Sequence, residues 1–325
     1  MSFIKIKFNE EKLNICQVSL AGNISTINKN LNNFEKYYKK IRFFIICPKK
    51  EIIIFKKKIK NKNCQILDEN KIINFSLFKK NAEKYLKKTN YFKQIKPRLK
   101  WYYQQILKMA FLLDFIEKTK QPMVIWDADT IILDKIDFFE NKTSINYGTT
   151  SEFYKAYYLT NRLILKKLPK YFISSLTQFT SLTPKETKFF IKKLKRFKFK
   201  KKSNAQWITE IVFDSLTKAH EKYNGSMFSE YELIGQSKLI LNSTKQKLIS
   251  GIRENLNGKL TDFQIFIVKI LGYKYVAYEY THNNDNSINM LKRYQTWFQF
   301  LKLITKKTSN KFFRGIKHQF KSYIL

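Results

Sequence analysis

Apolar residues in this chain recur with two spacings, and the switch between them sets the expected fold. The segments LNICQVSL (13–20), IRFFIIC (41–47) and CQIL (64–67) are short apolar runs that read as strands, the second of the buried type. AGNIS interrupts the first run and Pro48 ends the second, and a helical spacing follows each break. Ser25 stands where it would cap the first of these helices, which runs into the late 30s. Strand, helix, strand, helix, strand predicts a mainly parallel sheet built from βαβ units.

After Pro97 the period lengthens. In WYYQQILKMAFLLDFIEK (101–118), Tyr102, Ile106, Met109, Leu113 and Ile116 follow in steps of four and three, which predicts a long helix. Gln105 and Lys108 share a neighbouring face of it, where they either meet solvent or act together on a ligand. VIWDADTIIL (124–133) is the next apolar strand. Farther on, PKETKFFIKKLKRFKFKKK (184–202) predicts a lysine-dense helix with the polarity of a solvated or membrane-facing surface. A second helix holds Trp207, Ile211 and Leu216, and a strand is expected over 273–280. In the last forty residues Leu291, Tyr294, Trp297, Phe298, Leu301 and Ile304 recur at helical spacing with Lys292, Arg293 and Lys302 between them. Such a basic amphipathic tail packs on the core or lies at the headgroup boundary of an anionic bilayer.

Composition adds a folded core and a charge. Apolar residues make up 44% of the 325 positions and aromatics 16%, enough to bury a sizeable core, while 8 Gly and 5 Pro leave few linkers. The formal charge of +38 attracts anionic membranes, phosphorylated substrates or nucleic acid. Only seven of the 63 basic residues are arginine, and Ile, Asn and Phe are abundant, so an AT-rich coding sequence accounts for part of the excess. No arginine-and-aromatic nucleic-acid module is recognisable, so no specific nucleic-acid partner is expected. Cys16, Cys47 and Cys64 sit in apolar runs without CxxC spacing and read as buried, reduced thiols. The start MSFIKIKFNEEK lacks an apolar signal core and no run approaches about 20 apolar residues, so a cytoplasmic protein is expected.

Three places carry chemistry. Asp127 and Asp129 are two apart at the end of an apolar strand, and strand alternation would send both carboxylates to one side, as Mg²⁺ or Mn²⁺ requires. In MFSEYELIGQ (227–236), Ser229 and Glu232 have the capping-box spacing. Glu230, at the first helical position, would point outward and be kept ionised by the helix terminus, which suits a base. His282 follows the last expected strand and is a third candidate metal ligand, whereas His220 and His318 sit among lysines and read as solvated.

Taken together and in order, WYYQQILKMAF, VIWDADTIIL and MFSEYELIGQ resemble a bacterial family of GT-A-type glycosyltransferases, in which W-Y-x-Q-Q-x-x-K, a D-x-D at a strand end and an F-S-E-Y-E segment recur. The likeness spans roughly residues 13–280. It implies an α/β, GT-A-like nucleotide-sugar-binding fold with a mainly parallel central sheet flanked by helices. The catalytic domain would run over 1–285, with a donor half to about 135 and an acceptor half beyond it, and a helical basic extension over 286–325. Gln105, Lys108 and Asp127 would lie near a nucleotide-sugar donor, with Mn²⁺ or Mg²⁺ at Asp127 and Asp129. Glu230 or Glu232 would serve near the acceptor. The segment SSLTQFTSL departs from the pattern: Gln178 and Phe179 stand where a histidine and methionine are expected, which leaves Gln178 as the acceptor contact and the acceptor's identity open.

The expected function is transfer of a sugar from a nucleotide diphosphate to a hydroxyl of a cell-envelope glycan or lipid-linked acceptor, on the inner face of the membrane. Two alternatives come from other classes. An apolar strand followed by D-x-D also opens haloacid-dehalogenase-type phosphatases, but these want glycine at Thr130 and a later acidic pair, and only Asp285 is offered. A basic membrane- or nucleic-acid-binding protein without catalysis is the other.

Overall fold

The computed structural model describes residues 12–87, 91–149, 154–169, 173–194, 203–219, 226–242, 246–253 and 260–278. His220, His282, His318 and the expected tail over 286–325 lie outside them.

In chain order, β1 (Leu13–Val18), α1 (Ile24–Tyr37), β2 (Ile41–Cys47), α2 (Ile52–Lys58), β3 (Cys64–Asp68), α3 (Phe75–Leu86), α4 (Tyr91–Ile95), α5 (Leu99–Thr119) and β4 (Met123–Trp126) make the first half. Short strands β5 (Thr130–Ile132), β6 (Phe139–Glu140), β7 (Thr143–Ser144) and β8 (Tyr147–Gly148) follow. Then come α6 (Lys155–Leu165), β9 (Phe179–Leu182), α7 (Pro184–Leu194), α8 (Asn204–Ala219) and α9 (Glu230–Asn242). Strands β10 (Lys247–Leu248) and β11 (Gly251–Arg253), helix α10 (Asp262–Ile270) and strand β12 (Tyr275–Ala277) close the described chain.

The fold is α/β, with a mixed central sheet flanked by helices. Its strand order is β3-β2-β1-β4-β9, with β1 to β4 parallel and only β9 antiparallel. The apolar run Phe43 to Cys47 of β2 has a direct cause. Phe44 and Ile46 pack on one side with Ile106 and Leu113 of α5, and Phe43 and Ile45 on the other with Ile27, Leu31 and Phe34 of α1. Each face of the sheet therefore carries its own apolar layer.

Several elements differ from the pattern-based expectation. Helix α1 begins at Ile24, so Ser25 lies inside it rather than capping it. Helix α7 buries Phe190, Ile191 and Leu194, so its inner side is core and not a solvated surface. The expected strand over 273–280 is only Tyr275–Ala277 among the described residues. Helix α5 is covered nearly all round, because α7 and α8 pack on it as well as the sheet. Gln105 and Lys108 are therefore buried rather than solvated.

Candidate active site

The chain runs β1, β2, β3 to one edge of the sheet and then crosses back to place β4 on the other side of β1. At such a reversal of strand order the loops leaving the two neighbouring strands diverge and open a crevice beyond their carboxyl ends, the usual ligand position in open α/β sheets. Asp127 is the first residue past β4, at that place.

Asp127 and Asp129 do not alternate along a strand, as their spacing suggested. They lie in a turn between β4 and β5, closed by Thr130 N–H donating to the Asp127 carbonyl at 3.2 Å. The turn is clamped from four directions. Asp127 N–H donates to the Gln178 carbonyl at 2.9 Å and Tyr278 N–H donates to the Asp129 carbonyl at 3.0 Å. The Gln17 side-chain amide donates to the Asp127 carbonyl at 3.4 Å. The Thr130 carbonyl accepts from the Trp126 indole at 2.8 Å and from Asn30. Asn30 also takes the Ile132 N–H at 2.9 Å, so α1 holds the chain where it leaves the turn.

Beneath the turn sits Lys108, 1% exposed. Its ammonium donates to an Asp127 carboxylate oxygen, to Glu230 Oε1 at 2.9 Å and to the Tyr231 hydroxyl at 3.2 Å. Burial acts to lower the lysine pKa, but the Asp127 and Glu230 carboxylates outweigh it and hold the ammonium above its ordinary range. Glu230 opens α9, as expected, but it is turned inward and buried. Burial raises its pKa, against the pull of Lys108, so the helix terminus does not set its ionisation as the spacing implied. Its backbone N–H donates to Gln105 Oε1 at 3.2 Å. Tyr231 donates to the Gln178 carbonyl at 3.4 Å, and burial followed by Asp127 and Glu230, with a smaller effect from Asp129, holds its hydroxyl protonated. Gln178 adopts a left-handed backbone (φ 65°) that turns its carbonyl toward Asp127 and Tyr231.

Glu232 belongs to a separate buried group. Ser229 Oγ accepts its backbone N–H at 3.4 Å, which is one half of the predicted capping box. The carboxylate does not reach back to complete it; Oε1 takes the Ser174 hydroxyl at 2.5 Å, the Ser175 N–H at 3.1 Å and the Tyr158 hydroxyl at 3.3 Å. Burial pushes its pKa up to about 7, against these donors.

The sequence-predicted residues thus divide. Gln105, Lys108, Asp127, Glu230 and the Gln178 main chain form one network; Glu232 stands apart from it, and His282 lies outside the described residues. Tyr231 and Gln17 were not singled out by sequence. A glutamine between Cys16 and Val18 of the mostly apolar β1 was the available signal for Gln17, and Tyr231 lies between two acids. Two buried polar atoms of the network, Gln17 Oε1 and Gln105 Nε2, have no protein partner.

Among the described residues no three His, Cys, Asp or Glu side chains gather into a metal-binding group. Asp127 and Asp129 still fit a hard divalent ion by donor chemistry. They offer carboxylate oxygens at the crevice, the Asp127 side chain retains 15% exposure, and Mg²⁺ or Mn²⁺ commonly takes few protein carboxylates and completes its shell with water and phosphate. Among the described residues no helix is long and apolar enough to cross a membrane.

A family model matches residues 18–261, which take in β2, β3, β4 and β9 of the sheet, the Asp127 turn and α9. The chain belongs to that family, a family of unknown function designated DUF6492. No curated protein matches this DUF6492 chain in sequence. Among solved structures it is similar to mouse xyloside xylosyltransferase 1 in its apo form, at 9% identity and a TM-score of 0.42, covering 86% of this chain and 99% of that one. A score of that size is too low to carry chemistry from one protein to the other.

Proposed function

We propose that this DUF6492 member is a metal-dependent glycosyltransferase, moving a sugar from a nucleotide diphosphate sugar to a hydroxyl of an envelope glycan or glycolipid. The observation that supports it is the clamped turn: two acidic residues at the crevice between β1 and β4, with a buried lysine fixing one of them from below. Hydrogen bonds from four directions hold the turn from Asp127 to Thr130 in place, which suits a site that must hold charge in one geometry.

Asp127 and Asp129 would hold Mn²⁺ or Mg²⁺, which when bound supplies positive charge to a departing diphosphate. Lys108 orients Asp127 and offsets the negative charge of Asp127 and Glu230 while the site waits for its ligand. Glu230 is a positioning residue in this reading and not the base, because its carboxylate is buried and paired with Lys108. Gln105 and Gln17 offer unpartnered amide atoms on the donor side. The Gln178 main chain and Tyr231 tie the acceptor half to the turn, and Glu232 stiffens the start of α9 against the 174–175 loop.

Turnover of a panel of nucleotide sugars with Mn²⁺ tests the proposal. The full chain is expected to hydrolyse or transfer at least one donor, and Asp129→Ala to lose about a hundredfold or more of that activity. Equal activity in the two proteins removes the metal role, and no turnover or binding of any donor removes the reading.

A further inference from the structure

Helix α10 has an apolar side that faces out of the protein. Inward, Val268 and Gln264 are buried, and Ile265 and Ile267 pack on the cluster formed by Ile131, Leu133, Ile252 and Val276. Outward, Phe266 is 59% exposed and Ile270 69%, four residues apart on one helical face, with the exposed Leu271 just beyond and the exposed Phe263 one turn before. This is an ordered helix rather than a frayed end. Thr261 and Gln264 form a complete capping box, at 3.2 Å and 2.8 Å.

The surroundings of this apolar side are basic. Lys29 of α1 pairs with Asp262 at 3.1 Å, and Lys269 reaches the Tyr37 hydroxyl at 3.3 Å, so α10 lies alongside α1 and brings its own lysine to that face. Lys36 of α1 is exposed on the same helix pair. An exposed apolar ridge bordered by lysines, on a chain of net charge +38, has two obvious partners: a second copy of itself or an anionic bilayer. Two copies would each bring the same charge and repel. A bilayer bearing anionic headgroups offers the opposite charge to the lysines and an acyl boundary to Phe266 and Ile270.

We infer that the exposed face of α10 docks on anionic membrane, with Phe266 and Ile270 entering the acyl boundary and Lys29, Lys36 and Lys269 meeting headgroups. The inference is independent of the sugar-transfer reading, since it concerns neither Asp127 nor Lys108, and it needs no contribution from the segment beyond 278.

The test uses the full chain, with Cys64, the one half-buried native thiol, replaced by Ser and a single thiol introduced for an environment-sensitive dye. Labelled Phe266→Cys is expected to shift to the blue on vesicles of phosphatidylcholine mixed with phosphatidylglycerol, and to stay unshifted on phosphatidylcholine alone. Labelled Leu77→Cys, on exposed α3 across the main sheet from α1, is expected to stay unshifted on both. Phe266→Glu with Ile270→Glu should weaken partitioning by roughly tenfold or more while circular dichroism is unchanged. Three results overturn the inference: no vesicle binding, vesicle binding without a shift at position 266, or a shift that follows protein concentration without lipid and so reports self-association.

Discussion

Lys108 of α5 and Glu230 of α9 stand 122 positions apart in the chain and 2.9 Å apart in the fold, both buried, with Asp127 on the ammonium's other side. One cation between two acids in the interior joins three elements: the long helix, the turn after β4 and the start of α9. A buried pair of this kind is a weak source of net stability when intact, but removing one member leaves the other charged and unpaired.

Lys108→Met is therefore expected to cost about 3–5 kcal/mol of stability, read as a lowered urea midpoint with little change in slope. Adding Glu230→Gln should recover part of the loss, since one of the two stranded carboxylates becomes neutral. A double variant no more stable than Lys108→Met alone would show that Glu230 does not depend on the lysine.

Glu232 gives the stability curve a predictable slope. Its folded pKa of about 7 lies above the ordinary 4.5, so the folded state holds a proton that the unfolded state has released between those values. Its contribution is fully present below pH 4.5 and is lost as pH rises through about 7. Over that window the wild type should lose roughly 3 kcal/mol relative to Glu232→Gln, measured by urea unfolding at each pH. Parallel curves for the two proteins would contradict the assignment.

Gly235 lies where α9 meets the 174–175 loop. A Cβ there would stand 2.1 Å from Ser175 Oγ and 2.5 Å from Ser175 Cβ, too close without moving the loop that donates to Glu232. Gly235→Ala should cost about 1–3 kcal/mol despite a helix-propensity gain of up to about 1 kcal/mol. Adding Ser175→Gly should recover most of it, and equal urea midpoints for wild type and Gly235→Ala would show that the loop yields freely.

The first half of this arrangement was legible in the sequence because local pattern determined it. Strands β1 and β2 lie inside the sheet and are mostly apolar, β3 is a short, half-buried edge strand, and α5 repeats in steps of three and four. The spacing of Asp127 and Asp129 brought them forward for the wrong reason: a turn closed by Thr130, not a pleated strand, sets their positions. What local pattern lacks is knowledge of what covers a face. Gln105 and Lys108 look solvated on a helical projection, and only the packing of α7, α8 and α9 over α5 buries them. Glu232 looks like half of a local cap, yet its partners Ser174 and Ser175 lie more than fifty residues earlier. The strands β5 to β8 are two or three residues long, too short to impose any periodicity.

The location of a bound nucleotide tests the proposed site most directly. Crystals of the full chain soaked with Mn²⁺ and a mixture of nucleotide sugars are expected to show a diphosphate against Asp127 and Asp129, in the crevice between the carboxyl ends of β1 and β4. A nucleotide lodged elsewhere, or saturating donor that leaves those carboxylates bare, would contradict the assignment of this turn as the donor site.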